Sequence, residues 1–406
     1  MAHPTRRAVV LGGALGAAGA LGLVSPTSAW SWTADASVAG TGSGSGRNPK
    51  RVWDPEADYV VAALFERGEI ERVNALLANW TTNGQPLPAG LPRDLTAFIE
   101  RARRLPTWTD AAALTQAFSF YERRGLYLGL LYGLGSGMMS CVIPHEARAV
   151  FYSAGGADMK DRIAKTAKLG YDLGVRDAYG PNGQMVVTCV KTRLVHAAVR
   201  HLLPQSRHWS AAAKGQLPIS QADILVTWHS LATFSRHKLA LWGVPVAAED
   251  STAFLHLWQV TAHMLGVRDE YIPATWNAAA DQSRQVLDPV LTPTPEGISL
   301  AHTLLNLAAE YDQGLSKPML QSFTRYTLGD RIADWLEIPR DADRDRAVAQ
   351  GWPAFVAFRE AGTDFQLAPP LYWASDEFLR LAVLFFLGEG KRIDITLPSG
   401  NNPNYR

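Results

Sequence analysis

Cysteine is nearly missing from this chain. Two residues in 406, Cys141 and Cys189, cannot make a disulfide scaffold. Pairing between them and two free buried thiols are equally open readings. No Cys-x-x-Cys-His motif occurs, so no cofactor is held through thioether links. Metal-binding clusters are missing too: there is no His-Glu-x-x-His and no two-histidine-one-carboxylate set at short spacing. Gly133-Leu-Gly-Ser-Gly137 is neither a hydrolase elbow nor a phosphate loop, because the spacing is wrong and no Gly-Lys-Ser/Thr follows. It reads as a turn or a close helix contact. Charge of one sign is not in excess: 39 basic against 38 acidic residues leave +1, which implies no nucleic-acid partner and no acidic tail. Alternating strand patterns are almost absent, Arg392–Leu397 being the one clear candidate, and no internal repeat is visible.

What is present is helical periodicity. Segments start at Asp54-Pro55 and Glu69, and an amphipathic stretch covers Leu95–Arg104. Thr109-Asp110 caps a helix through Glu122, and a long helix runs from Ser220 to about Trp242. Further helices cover about Asp250–Gly266 and roughly 274–288, 296–311, 318–336, 341–360 and 375–388. The fold class is therefore all-α, one domain over residues 52–406. Residues 30–51, rich in Ser, Gly, Thr and Ala, read as a flexible linker. Before it, Arg6-Arg7 precedes a weakly hydrophobic Gly/Ala run. Residues 1–29 therefore read as a twin-arginine signal peptide, with Thr27-Ser28-Ala29 and Ala34-Asp35-Ala36 as candidate cleavage sites. Cleavage after Ala29 removes two arginines and no acid, taking the net charge from +1 to −1. The expected product is secreted and extracellular. It has no stable membrane insertion once the leader is removed, and it is a monomer, because no exposed apolar helix is evident.

The chemistry concentrates between Pro144 and Leu203. A helix over 184–203 has apolar residues nearly all round, the pattern of a buried helix. Yet Cys189, Arg193, His196 and Arg200 fall at i, i+4, i+7 and i+11, on one stripe. Two arginines flanking a histidine on a buried stripe need an anionic partner. A haem would satisfy all three, with iron for the imidazole and propionates for Arg193 and Arg200. One helix earlier, Arg162, Lys165 and Thr166 share a face, while Asp161 and Lys168 lie elsewhere. On composition alone that face reads as solvated charge. His145-Glu146 fall in a loop. His256 and His263 read as core or surface histidines.

Glu146, Arg162, Lys165, Thr166 and His196, in this order and spacing, resemble the functional set of the latex clearing proteins, secreted actinobacterial b-type haem rubber oxygenases. The twin-arginine leader, the length and the Lys191-Thr-Arg-Leu-Val-His-Ala-Ala-Val-Arg200 helix agree with it. The resemblance implies a globin-like helical core with extra N- and C-terminal helices. It implies non-covalent haem b with His196 as proximal iron ligand and a neutral Lys165 as distal ligand in a closed state. The second ring nitrogen of His196 is expected to bond a carbonyl or carboxylate. It further implies Glu146 as base, Arg162 and Thr166 positioning the distal pocket, and dioxygen and cis-1,4-polyisoprene as substrates. The products would be oligo-isoprenoids with aldehyde and ketone ends. A related enzyme acting on a smaller prenyl chain, and a secreted haem or oxygen carrier without turnover, are the alternatives.

Overall fold

The computed structural model describes residues 48–362 and 368–405. The signal peptide and all of the linker before Asn48 lie outside the described residues. The elements that position the site are α1 (Pro55–Glu66), α2 (Ala111–Leu130), α3 (Pro144–Tyr152), α4 (Met159–Asp172), α5 (Met185–Leu202), α6 (Gln221–Trp228), α7 (Phe234–Leu241), α8 (Ala248–Met264), α9 (Ala342–Gly362) and α10 (Ala368–Leu387). No strand occurs among the described residues; a lone bridge pairs Ser153 with Asn401. The all-α expectation is borne out.

α8 is the centre. Its apolar residues fall all round the wheel, so it is buried along most of its length, with Phe254, Leu257, Trp258 and Val260 at the middle. It packs along α2, which Asp110 caps through the backbone N–H groups of Ala112 and Ala113. α2 runs past the expected end at Glu122 to Leu130 and continues as a π-helical segment, Leu131–Ser136. A second π segment, His229–Thr233, joins α6 to α7, so the long helix expected from Ser220 is present but widened in its middle. The two segments touch, with Ser136 and Ser230 hydroxyls 3.0 Å apart. The glycine cluster is a close helix contact: a Cβ at Gly135 would lie 2.6 Å from the Phe234 ring.

Three expectations are corrected. His145-Glu146 are not in a loop but in the first turn of α3, because Pro144 sits at its first position, where the missing N–H costs nothing. Arg392–Leu397 is extended but is no strand. It alternates because Ile395 and Leu397 bury inward, and side chains satisfy its polar groups. Lys191 pairs with Asp394 at 2.7 Å, and the Asn74 amide brackets the Leu397 backbone. The helix expected over 318–336 breaks at Gly329, whose φ of 85° ends one helix and starts the next.

A fourth correction concerns the surface. α10 is an exposed apolar helix, so the stated basis for a monomer does not hold. Apolar periodicity all round a helix cannot distinguish a buried helix from an uncovered one. Among the described residues no single helix is long and apolar enough to cross a membrane. Cys141 and Cys189 are both free and buried.

Candidate functional site

The stripe on α5 is built as read, but the protein itself supplies its anions. α1 packs along α5 and presents Asp54 and Asp58 one turn apart. Asp54 takes Arg193 in a bidentate pair, Nε at 2.8 Å and Nη2 at 3.0 Å. Asp58 accepts from Arg200 Nε at 2.6 Å, and Arg200 Nη1 donates to the Ile219 carbonyl at 3.1 Å. The expectation that both arginines wait for propionates is therefore corrected: Arg193 is committed to Asp54. Arg200 keeps one nitrogen, Nη2, buried and without a partner.

His196 follows one turn before Arg200. Burial, then the charges of Arg200 and Arg162, push its pKa down to about 3. The imidazole is neutral and carries a free lone pair at any physiological pH. Its Nδ1 is buried without a hydrogen-bond partner, so the expected carbonyl or carboxylate holding the second ring nitrogen is not there.

Glu146 comes from the first turn of α3. Burial pushes its carboxyl up to about 8; the Thr227 hydroxyl opposes this, Asp223 adds to it, and the Arg162 charge opposes it. Thr227, on α6, donates to Glu146 Oε1 through a short hydrogen bond and also to the Asp223 carbonyl at 3.2 Å. Arg162 and Thr166, one turn apart on α4, are joined by a short Nη1–Oγ1 bond. Burial lowers the Arg162 pKa, and Glu146 and Asp161 raise it. Gly155 lets this happen, since a Cβ there would meet Arg162 Cδ at 2.9 Å.

These side chains share an unusual combination. Glu146, Arg162 and His196 lie deep enough for burial to dominate their protonation, yet none is fully covered. Thr227 is exposed between buried Val226 and Trp228. Groups that are deep but not covered fit the lining of a hollow between these helices. α3, α4, α5 and α6 each deliver one or two polar groups to it, and α5 and α6 are otherwise mostly apolar.

Lys165 shares the α4 face with Arg162 and Thr166, but its amine is engaged. It lies 2.7 Å from Asp161 Oδ2 and donates to Thr396 Oγ1 at 3.1 Å. Asp161 stays exposed, as expected, while pairing with Lys165. His256 and His263 hold structure, as expected: His256 Nε2 accepts the Asp110 N–H at 2.9 Å, and His263 pairs with Asp269 at 2.6 Å. Among the described residues no three His, Cys, Asp or Glu side chains group to hold a bare metal ion.

Sequence reasoning missed Thr227, Asp223, Asp54 and Asp58. Asp54 and Asp58 carried a signal, since carboxylates four apart at a helix start can face a basic stripe. Thr227 carried none, because only tertiary packing brings it to Glu146.

The chain matches the family model described as "ER-bound oxygenase mpaB/B'/Rubber oxygenase, catalytic domain" over residues 122–358. It is 57% identical to a rubber oxygenase of Streptomyces sp. (strain K30), over 98% of each chain. Its fold is similar to the structure of latex clearing protein LCP in the closed state. The TM-score is 0.82 at 57% identity, covering 91% of this chain and 100% of that one.

Proposed function

This chain belongs to the rubber oxygenase family, and on that premise we propose that it is a haem b oxygenase cleaving the carbon–carbon double bonds of cis-1,4-polyisoprene. Each cleavage takes one dioxygen: one C=C breaks, two C=O form, and the new ends are an aldehyde and a ketone. The observation that carries the proposal is a buried neutral imidazole, His196, and a buried carboxyl, Glu146, both within electrostatic reach of Arg162.

The residues present fit a haem. His196 offers the lone pair for its iron, Arg200 Nη2 is a buried donor without an acceptor, and the rest of α5 is largely apolar. When bound, the haem would supply the oxygen chemistry. The protein supplies the rest. Glu146 is placed to take the allylic proton beside the double bond, a weakly acidic C–H that calls for a base strengthened by desolvation. Thr227 orients that carboxylate from one side, and the positive charge of Arg162, itself braced by Thr166, favours its ionised form. Polyisoprene has no polar handle, so its hold in the hollow is apolar contact. In this reading Lys165 serves as distal iron ligand only after leaving Asp161 and Thr396. The leader containing Arg6-Arg7 exports the folded protein, which suits a polymer too large to be taken up.

Oxygen uptake by the purified protein on cis-1,4-polyisoprene, with carbonyl staining of the products, tests the function. Uptake on the polymer with aldehyde-bearing oligomers is expected. Uptake only on short prenyl chains, or haem binding with no uptake, replaces the proposal with an alternative. Lys165→Ala is expected to keep the haem and change its resting absorption spectrum; an unchanged spectrum removes Lys165 as a ligand.

A further inference from the structure

α10 is the most apolar surface element among the described residues, and its outer face is uncovered. Leu371, Phe378 and Phe385 lie at i, i+7 and i+14, on one stripe, and are 70%, 71% and 69% exposed. Leu379, Leu381 and Val383 widen the stripe, and Phe358 on α9, next to Arg359, which pairs with Asp376 on α10, is 73% exposed. A lone exposed apolar residue needs no explanation, but a contiguous patch of this size does.

The charged residues of α10 sharpen the point. Three occur between Ala368 and Leu387, namely Asp376, Glu377 and Arg380. Asp376 is buried against Arg359 and accepts the Leu126 N–H at 3.0 Å. Arg380 pairs with Glu377 at 2.7 Å and reaches Asp172 on α4 at 3.3 Å. Every charge of the helix is therefore spent on holding it to the body or on its neighbour. Its outer face carries none.

We propose that the outer face of α10 is the surface by which the enzyme docks onto solid polyisoprene. The inference rests on the rubber-oxygenase reading. Charge complementarity selects the occupant. A helix that settles into a phospholipid interface carries Lys and Arg along its polar margin to meet headgroups, and α10 offers none that is unpaired. A hydrocarbon polymer has no headgroups, and an uncharged apolar stripe matches it. Position agrees. α10 packs directly on α4, the helix that carries Arg162, Lys165 and Thr166, and on α2. A chain end leaving the particle under α10 starts on the helix that carries Arg162, Lys165 and Thr166.

The test uses the full haem-loaded protein and a Phe378→Glu/Phe385→Glu variant. Both positions are exposed, so the fold is unaffected. Binding to washed cis-1,4-polyisoprene particles is measured by flotation without oxygen, so that no turnover intervenes. The variant is expected to bind roughly tenfold or more weakly, two large apolar side chains having been lost. Its turnover of a short oligo-isoprenoid dispersed in detergent should stay within about twofold of wild type, since that substrate needs no docking. Unchanged particle binding overturns the proposal. So does a wild type that is dimeric in sedimentation velocity while the variant is monomeric, with equal polymer binding; the patch would then join two copies. Equal wild-type binding to phosphatidylcholine vesicles, lost in the variant, overturns it in favour of a membrane. Wild type that binds the particles yet takes up no oxygen on any isoprenoid sinks the catalytic reading and leaves the docking result standing.

Discussion

His196→Ala is expected to purify without a Soret band and without oxygen uptake on polyisoprene, while folding as well as the wild type. The two halves of this result separate a ligand from a core histidine. A core histidine holds structure through its ring nitrogens, and its removal would lower the melting temperature without touching the colour. His196 holds nothing through Nδ1, which is buried and unpaired. Removing that group relieves a desolvation cost of about 1–3 kcal/mol and offsets the lost packing of the ring. The low pKa, about 3, points the same way, since a histidine kept neutral by burial is ready to donate its lone pair without first losing a proton. Absorption spectra and thermal melts of the two proteins decide it. A coloured, active variant removes His196 as the ligand.

Glu146→Gln should keep the Soret band and lose roughly a hundredfold or more in turnover, the range a positioned general base contributes. The pH dependence makes the test specific. With the carboxyl pushed up to about 8, only a minor fraction is ionised at neutral pH. Turnover of the wild type should therefore rise about tenfold per pH unit toward 8 and level off above it. The residual activity of the glutamine variant should show no such limb. Stability moves in the opposite sense. Between its ordinary value of 4.5 and about 8, the folded protein holds a proton that the unfolded chain releases. This contribution is complete below 4.5 and is lost as pH rises through 8. Glutamine carries no charge to desolvate, so the variant should gain on the order of 5 kcal/mol over the wild type above pH 8. A variant with wild-type turnover, or a wild type whose activity is flat across this range, rules out Glu146 as the base.

The helical stripe states that the arginines need an anion, and that need is real. It does not say which anion. Asp54 and Asp58, about 140 residues earlier, meet it through the packing of α1 on α5. The same limit explains the extended segment at Arg392–Leu397. Its alternation reports one buried face, which a strand and a strap held by Lys191, Lys165 and Asn74 share equally.

The order of residues alone determined what depends on local spacing. This covers the helical class, the buried character of α5, the stripe through Arg193, His196 and Arg200, and the shared face of Arg162, Lys165 and Thr166. Each follows from a period of 3.6 residues and needs no knowledge of neighbours. Tertiary structure alone decided which groups meet: Thr227 at Glu146, Asp54 at Arg193, Asp161 and Thr396 at Lys165. It also decided which apolar helix is covered, α8, and which is not, α10. Burial and pairing are properties of two surfaces at once, and a one-dimensional pattern carries only one of them.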